Sequence, residues 1–208
     1  EAYNLPLGCI SHAIRAQAGG IPGALSKVGL DIFVDPRREG PGINQISTDN
    51  SFVKVVEVDG KEFLYYKLPK ITVALIKGTA ADRKGNISFD DMYMSGDALS
   101  ICQAAKSHNG IVIVQVQYLT KNDTIPPKDV KIPGILVDYV VEAQDPMSCW
   151  QTEGRYFEPA FSGQIRRPMG AIPAIPLSER KVICRRCAAE LKKNSIVNQK
   201  AILTPHSI

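Results

Sequence analysis

Few residues in this chain carry chemistry at a spacing that suggests a site. Cys184-Arg185-Arg186-Cys187 places two thiols three residues apart. A structural zinc site needs four ligands, and no second cysteine pair or histidine partner lies near this one in sequence. A redox pair usually opens a helix after a strand, whereas this one falls inside a predicted helix, so packing and solvation are the expected fate of both thiols. His12, His108 and His206 are far apart, and none stands in a Ser, Cys or Asp context that suggests a triad. Gly40-Pro41-Gly42 is a GxG without the third glycine of a dinucleotide fingerprint, and GxxxxGK[ST] is absent. The Gly19 to Gly23 loop would let a ligand approach the backbone closely, or is a plain turn. Asp82-Arg83-Lys84-Gly85-Asn86 follows an apolar run, where ligands bind in open α/β sheets, but Gly85-Asn86 equally makes a tight turn.

The elements that must position these residues follow from periodicity. Leu5, Cys9, Ile10, Ala13 and Ile14 recur at helical spacing between Asn4 and Gln17. Asp31 to Asp35 reads as a short strand closed by Pro36, and 37–50 as a loop. Val53 to Val58, Asp59-Gly60 and Lys61 to Lys67 read as a hairpin with a type I′ turn. Ile71 to Ile76, Ile111 to Tyr118 and Ile135 to Val141 read as buried strands, and Gly78 to Asp91 as a loop. Asp97 to Ser107 is predicted helical, with Ala98, Ile101, Cys102 and Ala105 on one face, stopped at Asn109-Gly110. Strands alternating with helices predict an α/β fold, an open and mainly parallel sheet with helices on both faces. From Glu142 to Pro176 periodicity is lost. Ser178 to Lys193 predicts a basic amphipathic helix capped by Ser178, with Val182, Ile183, Cys187, Ala188 and Leu191 as its apolar side.

Composition narrows the function classes. The 208 residues are 44% hydrophobic and 22% charged, with a formal net charge of +4. Lys and Arg are interleaved with Asp and Glu, so no basic stripe points to nucleic acid. The longest apolar run, Ile111 to Val114, is strand-sized, so no membrane partner is expected. Five scattered cysteines do not form a disulfide framework, and reduced thiols in a cytoplasm or an organelle matrix are expected. The N-terminus lacks a signal-peptide pattern and an initiator Met, which reads as processing or a fragment.

Several stretches together resemble family I coenzyme A-transferases, most closely the propionate/acetate type. "VALIKGTAADRKGNISFDD" is similar to the family strand that runs into A-D-x-x-G-N. "NGIVIVQVQYL" with "PPKDVKIPGILVDYVV", "VGLDIFVDPRREGPGIN", "FEPAFSGQIRRP" and "PLSERKVICRRCAAEL" resemble flanking segments of the same family. The resemblance implies transfer of CoA from an acyl-CoA to a small carboxylate, through a glutamate nucleophile that forms a mixed anhydride and then a glutamyl-CoA thioester. It implies no cofactor beyond CoA as substrate, a homo-oligomer, and a cytoplasmic location (a mitochondrial matrix in a eukaryote).

Residue by residue, the resemblance carries Gly8, Gly20, Gly23, Asp82, Gly85 and Asn86 over as substrate-site scaffold, and no catalytic residue or metal ligand. The family nucleophile sits in E-x-G-x-x-G, and none of the nine glutamates here lies in that context. Leu7 replaces the polar residue of a family P-Q-G. The expected organisation is an incomplete N-terminal α/β domain over 1–143, an arm over 144–176, the first helix of a second domain over 177–198, and an unrelated-looking tail over 199–208. Such a chain is expected to be inactive alone. The alternative is a non-catalytic CoA-transferase-like subunit or remnant that binds a complementary half. A sugar-phosphate isomerase or deaminase of related architecture is disfavoured by the missing phosphate loop.

Overall fold

The computed structural model describes residues 1–48, 50–152 and 156–195. Glu153, His206, the end of the expected last helix segment (196–198) and the tail over 199–208 lie outside the described residues. The chain divides into two units, one of Glu1–Asp90 with Met94–Gln144, the other of Asp91–Tyr93 with Asp145–Ile208.

In the first unit, α1 (Leu7–Ala18) buries Cys9, Ala13, Ile14 and Gln17, close to the face that its apolar spacing predicts. The hairpin forms as β2 (Val53–Val58) and β3 (Lys61–Tyr66), antiparallel, with β1 (Ala24–Ser26) on the other side of β3. Asp59 (φ 49) and Gly60 (φ 69) both take the left-handed conformation that a type I′ turn requires. Cys9, Val34, Val53, Leu64 and Tyr66 form the core between this sheet and α1.

Asp31 to Asp35 is not a strand. Asp35 is fully buried and its carboxylate accepts hydrogen bonds from the Asp31 and Arg37 amides (3.0 Å each) and from the Arg37 guanidinium (3.0 and 2.8 Å). An Asp that gathers backbone amides from both sides wraps the chain into turns, and Asp31 takes a positive φ of 61°. The Arg37 side-chain hydrogen bonds hold the Asp35 carboxyl far below the usual carboxylate range, against the opposing effect of burial.

A parallel three-stranded sheet follows, with β4 (Val73–Lys77) and β10 (Tyr139–Glu142) flanking β7 (Ile111–Val116). Ala74, Val112, Val114 and Val116 are buried, and α2 (Ala98–Ser107) packs on β4 and β7 with Cys102, Ala104 and Ala105 buried. Burial pushes the Cys102 thiol up to about 11. Residues one step out of phase point the other way, and there Val73, Leu75, Ile111, Tyr139 and Val141 are exposed. The expectation of a helix on both faces is thus met on the α2 face. Asn109 (φ 56), not Gly110, takes the left-handed position that ends α2. A Cβ at Gly110 would instead lie 2.2 Å from the Thr72 carbonyl oxygen.

A four-stranded mixed sheet, unannounced by periodicity, joins β5 (Ala80–Asp82), β6 (Ile87–Ser88), β8 (Tyr118–Thr120) and β9 (Val130–Ile132) in the order β8-β5-β6-β9. Two of these strands lie within the stretch read as a loop. Ile135 and Leu136, the start of the expected strand, instead belong to one 3-10 turn, Gly134–Leu136, before β10.

The second unit is mostly irregular. Gln151 is buried, its amide donating to the Asp91 carbonyl (2.6 Å) and accepting from the Glu158 amide (2.9 Å). Glu158 is buried against Arg167 (2.5 Å). The last described helix is α3 (Glu179–Glu190), and Ser178 caps it as expected by accepting from the Lys181 amide (3.3 Å). The expected apolar side does not pack: α3 buries no residue, and Val182 and Ile183 are exposed.

Candidate functional site

The six residues carried over from the family pattern fall in three places. Gly8, in the first turn of α1, lines a cavity of about 240 Å³ with Pro6, Cys9, His12, Ala24, Ser26 and Val28. Leu7 begins the helix 63% exposed. The Tyr66 hydroxyl closes the core below by donating to the Val28 carbonyl (2.6 Å), and burial beside Cys9 raises its pKa above the ordinary tyrosine value. The cavity lining is mainly apolar.

Gly20 lies two residues beyond the end of α1, whose 12 residues span about 18 Å at 1.5 Å per residue. It lines a second cleft of about 350 Å³ with Gln17, Lys67, Lys70, Ser107 and His108. Gln17 is the post of this cleft: its amide donates to the Leu68 and Pro69 carbonyls (3.1 and 2.8 Å) and accepts from the Ile71 amide (3.2 Å). His108 Nδ1 lies 3.2 Å from the Ile71 carbonyl, which leaves Nε2 as the ring's other polar edge. Two ammonium groups and an imidazole suit an anionic group in this cleft. Gly23 lines neither cavity. Its missing side chain admits the Tyr66 carbonyl oxygen, which would be 2.4 Å from a Cβ.

Asp82, Gly85 and Asn86 form the third place, between β5 and β6. Asp82 is 3% exposed. Its Oδ1 accepts from the Lys84 and Asn86 amides (2.9 and 3.0 Å) and its Oδ2 from Asn86 Nδ2 (3.0 Å). Gly85 supplies the left-handed residue (φ 82) that the tight loop needs. Asn86 Oδ1 then accepts from the Gly134 amide (3.0 Å), which clips the loop onto the turn before β10. Burial would raise the Asp82 carboxyl, but the hydrogen bonds from Asn86 and Lys84 outweigh it and hold it below its usual range. Both side chains spend their polar atoms inside the protein. These bonds set the shape of the loop. Gly134, the other half of the clip, has no motif of its own in the sequence; neither has Gln17.

The buried carboxylates Asp35, Asp82 and Glu158 are each bound by a guanidinium or by amides.

The Coenzyme A transferase family model matches residues 1–143. The chain is 52% identical over 194 residues to the caffeate CoA-transferase of Acetobacterium woodii, covering 93% of this chain and 37% of that protein. It is 39% identical to the acetate CoA-transferase YdiF of Escherichia coli K12, over 95% of this chain and 36% of that one. The crystal structure of the acyl-CoA transferase YdiF apoenzyme from Escherichia coli O157:H7 superposes with a TM-score of 0.80 over 92% of this chain and 36% of that one, again at 39% identity. The chain thus spans little more than a third of the length of these relatives. With the family model matching more than half of its residues, this chain belongs to the Coenzyme A transferase family.

Proposed function

We propose that these 208 residues form one wall of an acyl-CoA:carboxylate CoA-transferase site whose nucleophile lies on polypeptide that the sequence does not contain. The observation that carries this is the 52% identity to a caffeate CoA-transferase over 93% of the chain, together with the absence of an E-x-G-x-x-G segment from all 208 residues. The chain's own contribution is positional. The Asp82–Asn86–Gly134 clip fixes the loop beyond β5, and the first turn of α1 presents Gly8 and Leu7 beside an apolar cavity suited to an acyl group. The reaction asks for no resident cofactor beyond CoA as substrate.

The exposed apolar side of β4, β7 and β10 favours a working form in which further polypeptide covers that face, because parallel sheets are normally covered on both sides. That polypeptide is the complementary part of a CoA-transferase, and the complete enzyme is a homo-oligomer of the cytoplasm. Acyl-CoA:acetate exchange tests the reading. The 208-residue chain alone should give none, and a chain extended through E-x-G-x-x-G should give turnover that is lost when that glutamate becomes Gln. Exchange by the 208 residues alone sinks the proposal.

A further inference from the structure

Gln17 is 5% exposed and ties three elements together at the end of α1 remote from Gly8. Its side-chain amide bonds the Leu68 and Pro69 carbonyls and the Ile71 amide, and its backbone carbonyl accepts from the hydroxyl of Ser107 (3.0 Å), the last residue of α2. The segment that carries Lys67 and Lys70 is thereby held against two helix ends, and the cleft of about 350 Å³ opens there. We propose that this cleft binds a phosphomonoester, with the phosphoryl group on Lys67, Lys70 and His108 and the organic group against Ile21, Pro22 and Leu68.

The cleft offers cations and few acceptors. The carbonyls at its rim are already taken, those of Leu68 and Pro69 by Gln17, that of Gln17 by Ser107 and the Gly20 amide (3.0 Å), and that of Ile71 by His108 Nδ1. No Asp or Glu lines it. Nearby cations on the two helices are spent, Arg15 on Asp97 (3.9 Å) and Lys106 on Asp138 (2.6 Å). Neither Lys67 nor Lys70 has an ion pair among the described residues. Two uncommitted ammonium groups three residues apart, with only Leu68 and Pro69 between them, repel one another and attract an anion.

His108 selects the kind of anion. Because Nδ1 faces a carbonyl it carries the proton, so Nε2 is a lone pair in the neutral ring and a donor in the imidazolium. A phosphomonoester titrates near pH 6 and meets either form: the monoanion donates its P–OH to the lone pair, and the dianion accepts from the imidazolium. Carboxylate and sulfate carry no proton at neutral pH and meet only the second. The rest of the wall is apolar, with Ile21 57% exposed. A cleft of this volume suits a small molecule rather than a lone ion. It shares no lining residue with the Gly8 cavity, so the proposal does not rest on the transferase reading.

The test is a titration of the intact 208-residue chain with phenyl phosphate, followed by amide ¹H–¹⁵N chemical shifts. Saturable shifts are expected at residues 67–71 and 107–108, weakening as salt is raised. Lys67→Gln and Lys70→Gln should each weaken binding by about 5- to 30-fold, the effect of one unit charge about 4 Å from a mono- or dianion in water. Both lysines are exposed, so urea midpoints should not move. Lys61→Gln, at the far end of β3, should leave binding unchanged. Coenzyme A and dephospho-coenzyme A then separate the sources, because the ribose 3′-phosphate is the coenzyme's only phosphomonoester. Tighter binding of coenzyme A, lost in Lys70→Gln, identifies the coenzyme as the ligand; equal binding of the two identifies a separate phosphomonoester. No saturable shift at 67–71 and 107–108 overturns the proposal, as does an equal effect of Lys61→Gln. Sulfate binding as tightly as phenyl phosphate means an adventitious ion only, and overturns it too. Binding is read without turnover, so its failure leaves the transferase reading untouched.

Discussion

Gly134→Ala is the sharpest probe of the loop clip. A Cβ at Gly134 would stand 2.0 Å from the Lys84 carbonyl oxygen, 2.9 Å from its carbonyl carbon and 3.0 Å from the carbonyl carbon of Gly85. All three are backbone atoms, so no side chain can swing aside. Relief to an ordinary C···O contact of about 3.3 Å requires the two segments to part by about 1.3 Å. That movement stretches the bond from the Gly134 amide to Asn86 Oδ1, now 3.0 Å, beyond hydrogen-bonding range. Overpacking of this kind costs about 1–3 kcal/mol, and the lost bond about 1 kcal/mol more. With a urea m-value of about 2 kcal/mol/M, a total of about 2–4 kcal/mol moves the midpoint down by about 1–2 M. Urea unfolding followed by far-UV circular dichroism reads the shift directly. Gly85→Ala is the internal comparison. Its Cβ meets nothing closer than 3.4 Å, so its cost is the left-handed backbone alone, about 1–2 kcal/mol. In Gly134→Ala the Asn86 contact is already gone, so adding Asn86→Ala should cost less than it does in the parent. A Gly134→Ala midpoint within about 0.25 M of the parent, corresponding to about 0.5 kcal/mol, would refute the steric argument. Full additivity with Asn86→Ala would show that the two residues are not coupled.

Asp35→Asn should flatten the acid limb of stability. The folded Asp35 carboxyl titrates far below its unfolded value of about 3.9, so below about pH 5 the unfolded state takes up protons first and stability falls with pH. The Asn variant should be less stable at pH 7 by at least about 1 kcal/mol, with a shallower loss toward pH 2, in urea midpoints taken across that range. An unchanged slope would mean that Asp35 is not the residue responsible. Ser178→Ala should cost α3 about 1 kcal/mol, because the helix buries no residue that could compensate. Hydrogen exchange of the α3 amides should accelerate accordingly, and unchanged exchange would show that the cap contributes nothing.

The fold was legible where one rule governed a whole segment. The Asp59-Gly60 turn, the α1 spacing and the apolar runs of β4 and β7 each announce themselves, and each forms. Legibility failed where a side chain overrode the pattern. Asp31 to Asp35 carries a short apolar run closed by Pro36, like a strand, yet one buried carboxylate gathers the flanking amides and turns the chain. It failed again at β5 and β6, because strands of three and two residues are too short to show a period. The apolar residues of α3 have the period of a packing face, and among the described residues nothing covers them. For the site, residue types placed Asp82, Gly85 and Asn86 on one loop, and the structure agrees. It also places Gly8 and Gly20 at opposite ends of α1, in different cavities, a separation visible only once the helix is drawn. Gln17, Lys67, Lys70 and His108 meet by tertiary folding alone, which no local pattern encodes.

The clip between β5 and β6 bears on how the A-D-x-x-G-N signature should be used. Its aspartate and asparagine satisfy the loop and the turn before β10, and its glycine supplies a backbone angle. Any chain that must close this loop in this way is held to those letters, whether or not it turns over a substrate. The signature is therefore a diagnostic of architecture. Counting it as a catalytic marker would assign activity to silent copies of the fold as readily as to working enzymes.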